Sequence, residues 1–486
     1  MDPKYDAVIV GAGPNGLAAA ITLARADWSV LVIEAAEEVG GGSRSAALTE
    51  PGFIHDVCSA VHPLAIASPF FRTLDLPRLG LELIHPPVPL AHPFDDGYAA
   101  ALHRGLPETA ETLGPDARSW VRLQAPLVRH ADVLVREILK PLHVPRHPLA
   151  FASFGLRGLP SARMLARRLF KGEAASGLFA GLAAHAIRPL ERPMTSAVGL
   201  LLGFLGHAHG WPVARGGSGT IATALAAAAQ ELGVHIATGW PVQRLAELPA
   251  SDAVLFDLTP RQVLPIVGAA LPEGYRRRLG RYRYGPGVFK VDWALDGPVP
   301  WTAEACRSAG TVHLGGTIEE ISRSERDAFD GRVSQRPFVL FAQPTIVDSS
   351  RAPTGQHVAW AYCHVPNGCA YDMTEIVERQ VERFAPGFRD RILAHHRMGP
   401  AAMEVYDANY VGGDITGGVQ DLAQLYTRPA PRLPAYSTPN PRLWFCSSST
   451  PPGAGVHGMC GVGAAEALLA RSRRRAANQS FVPANE

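Results

Sequence analysis

Residues 6–20 read DAVIVGAGPNGLAAA, and this stretch decides the fold. Asp6–Val10 is a short β-branched apolar run, the pattern of a buried strand. Gly11-Ala-Gly-Pro-Asn-Gly16 follows at once and opens an alanine-rich helix expected over Leu17–Arg25. A second strand, Ser29–Ile33, ends on Glu34, eighteen positions after Gly16. Each part has a physical task. Gly11 makes the tight turn, Gly13 lets the backbone approach a pyrophosphate, and Gly16 lets helix and strand pack closely. The helix N-terminus, opening over Pro14 and Asn15, presents free N–H groups and a positive dipole end to phosphates. Glu34 accepts hydrogen bonds from ribose hydroxyls, and its charge disfavours a 2′-phosphate. A lone GxGxxG is weak evidence; one set between strand, helix and a correctly placed acid is a dinucleotide fingerprint.

The fingerprint does not separate FAD from NAD. Just past the second strand lies Val39-Gly40-Gly41-Gly42-Ser43-Arg44-Ser45, and a flexible hairpin would not require glycines at this distance from Glu34. No second GxGxxG stands between strand and helix, since Gly216-Gly217-x-Gly219 lacks a preceding strand. A dedicated NAD(P)H domain is therefore not expected.

The whole chain has 486 residues, 47% of them hydrophobic and 19% charged, enough for two to three domains with a large core and too apolar for disorder. Forty-eight glycines and forty-two prolines mark it as loop-rich. A net charge of +2 gives no sign of a nucleic-acid binder. Six scattered cysteines without a CxxC fit a reducing compartment and argue against disulfide chemistry. Met1-Asp-Pro-Lys-Tyr does not read as a signal peptide, and no apolar run approaches a bilayer span. The expected location is cytoplasmic, with peripheral membrane contact as a candidate. That candidate rests on residues 138–172, a basic helical segment with no acidic residue between Glu137 and Glu173; a solvated helix hairpin is the alternative.

After Asp75 the α/β pattern is lost until Arg215, beyond which Ile221–Leu232, Val234–Ala237 and Ala253–Phe256 bring it back. Val288–Leu295 alternates as a strand, and Phe338–Phe341 and Val358–Tyr362 follow it. Tyr410–Gly418 is glycine-rich, and reads either as an ordinary surface turn, the preferred reading, or as a hinge or gate over a pocket. Leu443–Cys446, a turn over Ser447–Gly461 and a helix over Val462–Ala470 again aim a helix N-terminus at something anionic.

Taken together, VGAGPNGLAAA, VGGGSRS, PGFIHDVCSAVHPL, YGPGVFKVDWALDGPVPW, YVGGDITGG and STPPGAGVHGMCG resemble the phytoene dehydrogenase-like FAD oxidoreductases of the amine oxidase superfamily. The middle two blocks, PGFIHDVCSAVHPL and YGPGVFKVDWALDGPVPW, resemble the branch named after pyridine nucleotide-disulfide oxidoreductases more than the carotenoid desaturases themselves. The resemblance implies an α/β, amine-oxidase-like fold in which a Rossmann-like FAD-binding domain (1–75, 215–260 and 430–486) interleaves with a mixed α+β substrate domain (76–214 and 261–429). It implies bound FAD and a large hydrophobic substrate. It places Gly11, Gly13, Pro14, Asn15, Gly16, Glu34, Gly40, Gly41, Gly42 and Ser43 at the AMP and pyrophosphate, and Val242 at the adenine. Pro452, Gly453, Gly455, Val456 and Gly458 fall at the flavin end. One departure stands out: such enzymes often carry Gly-Asp after the last strand, where this chain has Ser447-Ser448-Ser449.

The expected activity is a dehydrogenase or desaturase that passes a hydride from a hydrophobic substrate to flavin N5, with oxygen or quinone as final acceptor. Candidates for handling a proton are His457, His62 and Lys290. A redox-neutral isomerase or saturase, and a non-catalytic flavin-binding protein, remain open as alternatives. Zinc chemistry is not expected, because His207-x-His209 and His395-His396 lack partners at ligand spacing.

Overall fold

The computed structural model describes residues 4–480. Residues 1–3, where the segment read as carrying no signal peptide begins, and 481–486, the tail of the last expected cofactor segment, lie outside the described residues.

Five parallel strands build the first sheet, in the order Leu443–Phe445, Ser251–Phe256, Tyr5–Val10, Val30–Ile33, His235–Ala237. Tyr5–Val10 is central, and both its faces are covered, which is why the run shows no polar alternation. Ala7 and Ile9 point into a core made with the helices Pro14–Ala24, Gly219–Glu231 and Met459–Ser480. Val8 packs with Leu31 and Ile33 on the opposite face, while Val10 joins Val254 and Phe256 against the helices Pro260–Val267 and Glu273–Gly280. The first and last helices touch backbone to backbone: a Cβ on Gly461 would stand 1.8 Å from the Asn15 carbonyl oxygen.

The second sheet has seven strands, ordered Ile392–Met398, Gly287–Leu295, His357–Val365, Val339–Ala342, Ala309–Leu314, Val88–Pro93, Ala99–Leu102. All its pairs are antiparallel except Ala309–Leu314 with Val88–Pro93. One face is an apolar core around Trp293, Phe341 and Phe388. The other carries Lys290, Asp292, Trp360, Tyr362, His364, Thr311, His313 and His92, placed there by the two-residue period of their strands. A layer of helices, including Pro148–Gly158, Ala162–Leu169 and Thr195–Ala208, covers this face.

Within residues 80–214, where the α/β pattern is lost, Val88–Pro93 and Ala99–Leu102 are strands that extend the second sheet. Two prolines and a histidine in VPLAHP hide the strand pattern, and a buried position between two partner strands overrides it. Tyr410–Gly418 is no surface turn. Val411, Gly413, Asp414 and Thr416 are buried, and Tyr410, Ile415 and Thr416 reach the cavity described next.

Candidate functional site

A cavity of about 910 Å³ runs between the two sheets. One end is built from the fingerprint. After Val10 the chain turns through Gly11, whose φ of +104° suits glycine. Gly13 caps the helix Pro14–Ala24 with no side-chain hydrogen bond. Pro14 carries no N–H, Leu17 N bonds the Gly13 carbonyl and Gly16 N bonds Asp257, so the Asn15 N–H is the first-turn donor left toward the cavity lined by Gly11, Gly13, Pro14 and Asn15. Gly16 does not line it. A Cβ there would stand 2.1 Å from the Gly11 carbonyl oxygen, so Gly16 serves the close packing expected of it.

Glu34 stands at the end of its strand and takes two backbone donors, Ala12 N at 2.7 Å and Ala36 N at 3.0 Å. It shares the cavity wall with Trp240, Val242 and Gln243. Gly40 N donates to the Ala12 carbonyl at 2.9 Å, which ties the glycine-rich turn to the fingerprint loop. Arg44 and Tyr406 both donate to the Gly41 carbonyl, at 3.1 and 2.8 Å. Gly41, Gly42 and Ser43 line the cavity, as do Gly455 and Val456 at the far turn. Gly40, Pro452, Gly453 and Gly458 stand behind the lining, and Gly458 packs on Ala18 and Phe70.

This wall fits a dinucleotide on its own chemistry. Ser43 Oγ and Asn15 Oδ1 are buried without a hydrogen-bond partner, and they flank an uncapped helix N-terminus. An anion with several acceptor oxygens and hydroxyls suits that set.

Of the serines after the last strand, Ser447 and Ser448 line the cavity, and two of the three hydroxyls hold structural hydrogen bonds. Ser447 Oγ donates to the Leu258 carbonyl at 2.9 Å, and Ser449 Oγ to the Gly417 carbonyl at 2.8 Å. The carboxyl absent there is found one strand over, on Asp257, directly after Ser251–Phe256. Asp257 Oδ2 accepts Gly16 N at 2.8 Å and lines the cavity. Burial pushes its carboxyl up to about 8, against the pull of the Gly16 hydrogen bond. Sequence reasoning passed over Asp257, although an acid closing the strand beside a fingerprint strand was a usable signal.

A raised pKa has a definite sign. The folded protein holds the Asp257 proton that the unfolded chain releases near pH 4, so this contribution is fully present below that pH and is lost as pH rises through 8. At ~1.4 kcal/mol per unit, the loss between pH 5 and 8 is ~4 kcal/mol. Asp257→Asn removes the titration. The melting temperature of the variant minus that of the parent is expected to grow from pH 5 to pH 8, and a constant difference would show an ionised Asp257.

The other end of the cavity is apolar. Val198, Leu201 and Leu202 of the helix Thr195–Ala208 line it, with Ile187, Trp211, Leu340 and Leu64. Trp360 and Tyr362, two apart on one strand, stack at 5.7 Å and face the same space.

Of the three proton-handling candidates, His62 reaches the wall and the other two stand behind it. The Ser218 hydroxyl donates to the Ser59 carbonyl at 2.6 Å, so it must accept from His62 Nε2 at 2.8 Å. His62 Nδ1 is then the bare nitrogen, buried and without a partner. Burial pushes this imidazole down to about 4, although Asp56 pulls the other way. His457 lies behind Gly455, and its Nδ1 accepts Met459 N at 3.0 Å. Lys290 is buried beneath Trp360 and paired with Asp292, which also faces His55 at 3.7 Å and His396 at 3.6 Å. Lys290 is engaged by Asp292 and does not line the cavity. Among the described residues no group of three His, Cys, Asp or Glu side chains is placed to hold a metal.

The profile of the family described as flavin containing amine oxidoreductase matches residues 15–468. The chain is 27% identical to pyridine nucleotide-disulfide oxidoreductase domain-containing protein 2 of Mus musculus, over 96% of this chain and 94% of the relative. It is 28% identical to the phytoene dehydrogenase of Streptomyces griseus, over 81% and 78% of the two chains. Its fold is similar to that of cyclohexylamine oxidase from Brevibacterium oxydans IH-35A, with a TM-score of 0.60, 16% identity and coverage of 98% and 100%.

Proposed function

Because the chain belongs to the flavin containing amine oxidoreductase family and is an FAD-dependent oxidoreductase, we propose that it dehydrogenates a hydrophobic organic substrate. The observation that carries this reading is the cavity itself, one end a dinucleotide wall and the other an apolar chamber. Gly11, Gly13, Pro14, Asn15 and the 41–43 turn would hold the pyrophosphate, Glu34 a ribose and Val242 the adenine. Gly455 and Val456 would take the flavin end. When bound, FAD supplies a ring that accepts a hydride. The apolar side chains exclude water from the reacting carbon and orient the substrate. Dehydrogenation releases a proton together with the hydride, and His62, whose Nδ1 has no partner and which lines the cavity, is the group we assign to take it, against the burial that disfavours its charged form.

Anaerobic mixing of the FAD-loaded protein with a panel of polyenes, terpenoids and steroids tests this. Bleaching of the visible flavin band by a panel member supports the reading. Product formed while the flavin stays oxidised would replace it with an isomerase, and an unreactive panel would sink it. Reoxidation by oxygen or by a quinone then identifies the acceptor.

We extend the proposal to contact with a membrane surface. Leu142, Val144, Leu149, Leu156, Leu159 and Met164 are all exposed, several of them by more than 70%. They sit among Lys140, Arg146, Arg157, Arg168 and Lys171 in the acid-free stretch. Pro148–Gly158 and Ala162–Leu169 pack against Thr195–Ala208, so the patch lies directly behind the helix that lines the apolar chamber. Basic side chains around apolar ones suit an anionic headgroup layer. No helix among the described residues is long and apolar enough to cross a membrane. Flotation with phosphatidylserine-containing vesicles is expected to carry the protein upward. Neutral vesicles, and serine at positions 142, 144, 149 and 156 together, are expected to lose most of that binding. Equal flotation of parent and variant would refute the contact.

A further inference from the structure

The sheet face behind the apolar chamber is polar where hydrocarbon would pack more simply. The register sets Trp360 opposite Ala342 and Ala342 opposite Thr311, so a small residue leaves the indole and the hydroxyl facing one space. Both line the cavity, and Thr311 Oγ1 and Trp360 Nε1 are buried with no hydrogen-bond partner. In the next row stand Tyr362, Leu340 and His313. His185 meets that row from the helix layer, its Nε2 3.1 Å from His313 Nε2, and it too lines the cavity. The ionisable groups near this face already have partners: Lys290 pairs with Asp292, Arg351 with Asp56 at 2.7 Å, and Glu325 is hydrogen-bonded to His364 at 2.7 Å.

We propose that the substrate is an apolar molecule bearing one neutral oxygen acceptor, a carbonyl or a hydroxyl, which seats on Thr311 Oγ1, Trp360 Nε1 and His185. The inference rests on the reading of the chain as an oxidoreductase with an apolar substrate, and it narrows the substrate's chemistry. An indole N–H only donates, so its partner must accept. An ammonium group brings donors alone and would leave Trp360 unpaired. A carboxylate needs a cation, and no lysine or arginine lines this end of the cavity among the described residues. Nor do the histidines supply one: burial pushes His185 down to about 3 and His313 well below its ordinary value, so both are neutral near pH 7. A plain hydrocarbon would keep water out while leaving two buried donors without partners, which is unfavourable. A neutral oxygen satisfies both.

The test titrates FAD-loaded protein with octan-2-one, n-octane and octylamine, followed by perturbation of the visible flavin band and by equilibrium dialysis. Octan-2-one is expected to bind about tenfold or more tighter than the other two, because a site built for a polar group rejects the analogue that lacks it. Thr311→Val, which is isosteric, and Trp360→Phe, which keeps an aromatic ring but removes the N–H, are each expected to cut that preference about fivefold with octane affinity kept. Octane binding in the same samples reports an intact chamber. Absence of discrimination, whether all three probes bind alike or none binds, overturns the proposal, as does an equal effect of the variants on ketone and hydrocarbon. Flavin that no substrate reduces, beside a persistent ketone preference, would sink the dehydrogenase reading and leave this polar seat standing.

Discussion

Gly16→Ala is expected to give a protein that no longer retains flavin. The added methyl would stand 2.1 Å from the Gly11 carbonyl oxygen and 3.1 Å from Asp257 Oδ2. The nearer obstacle is backbone, so no flexible side chain can move aside. The helix Pro14–Ala24 must back away from the loop it closes, and the Gly16 N–H loses its 2.8 Å hydrogen bond to Asp257. Both changes open the turn that presents N–H groups to the pyrophosphate. An affinity loss of about 100-fold or more is the expected scale for a misplaced anion cradle with an unpaired buried donor. FAD released from the purified protein, quantified by chromatography, checks it. Gly274→Ala, where a Cβ would meet nothing within 4 Å, is the matched control and is expected to keep its flavin. A yellow G16A protein with parental affinity would refute the placement of the pyrophosphate.

His62→Ala is expected to keep the flavin and lose the reaction. The imidazole holds no fingerprint residue; it contacts Ser218 and presents a bare Nδ1. Removing a positioned base costs about 10²–10⁴ in rate. The reductive half-reaction, measured in single turnover, is therefore expected to slow by about 100-fold or more while the visible spectrum is unchanged. The pH profile adds a readout that a packing defect would not mimic. With the imidazole held near 4, the parental rate is expected to stay flat from pH 6 to 8, where an ordinary histidine would titrate. Parental rates in the variant would move the proton to another group.

The cofactor half was legible because its chemistry is local. A strand, a glycine turn and an acid lie within 30 residues, and spacing alone fixes their geometry. Asp257 was harder, since its importance comes from the register that sets its strand beside Tyr5–Val10. The substrate half is assembled almost wholly by long-range pairing. Trp360 and Thr311 are 49 positions apart and meet only through Ala342 on the strand between them. His457 and Lys290 looked functional by residue type and neighbourhood, yet neither lines the cavity: His457 is buried and accepts Met459 N, and Lys290 is buried and paired with Asp292. Residue type proposes chemistry, and tertiary packing decides which atoms face the ligand.

The central strand of the cofactor sheet is made before its other strands, and the edge strand Leu443–Phe445, which pairs with Ser251–Phe256, is made after them. During synthesis, at roughly 5–20 residues per second, the fingerprint waits tens of seconds for its final neighbours. Throughout that interval the Met459–Ser480 helix, which buttresses the glycine turn through Gly461, does not yet exist. The cavity that takes the flavin is therefore complete only once the chain through Gly461 has been made, and a nascent chain stopped before Val456 carries an unfinished pocket.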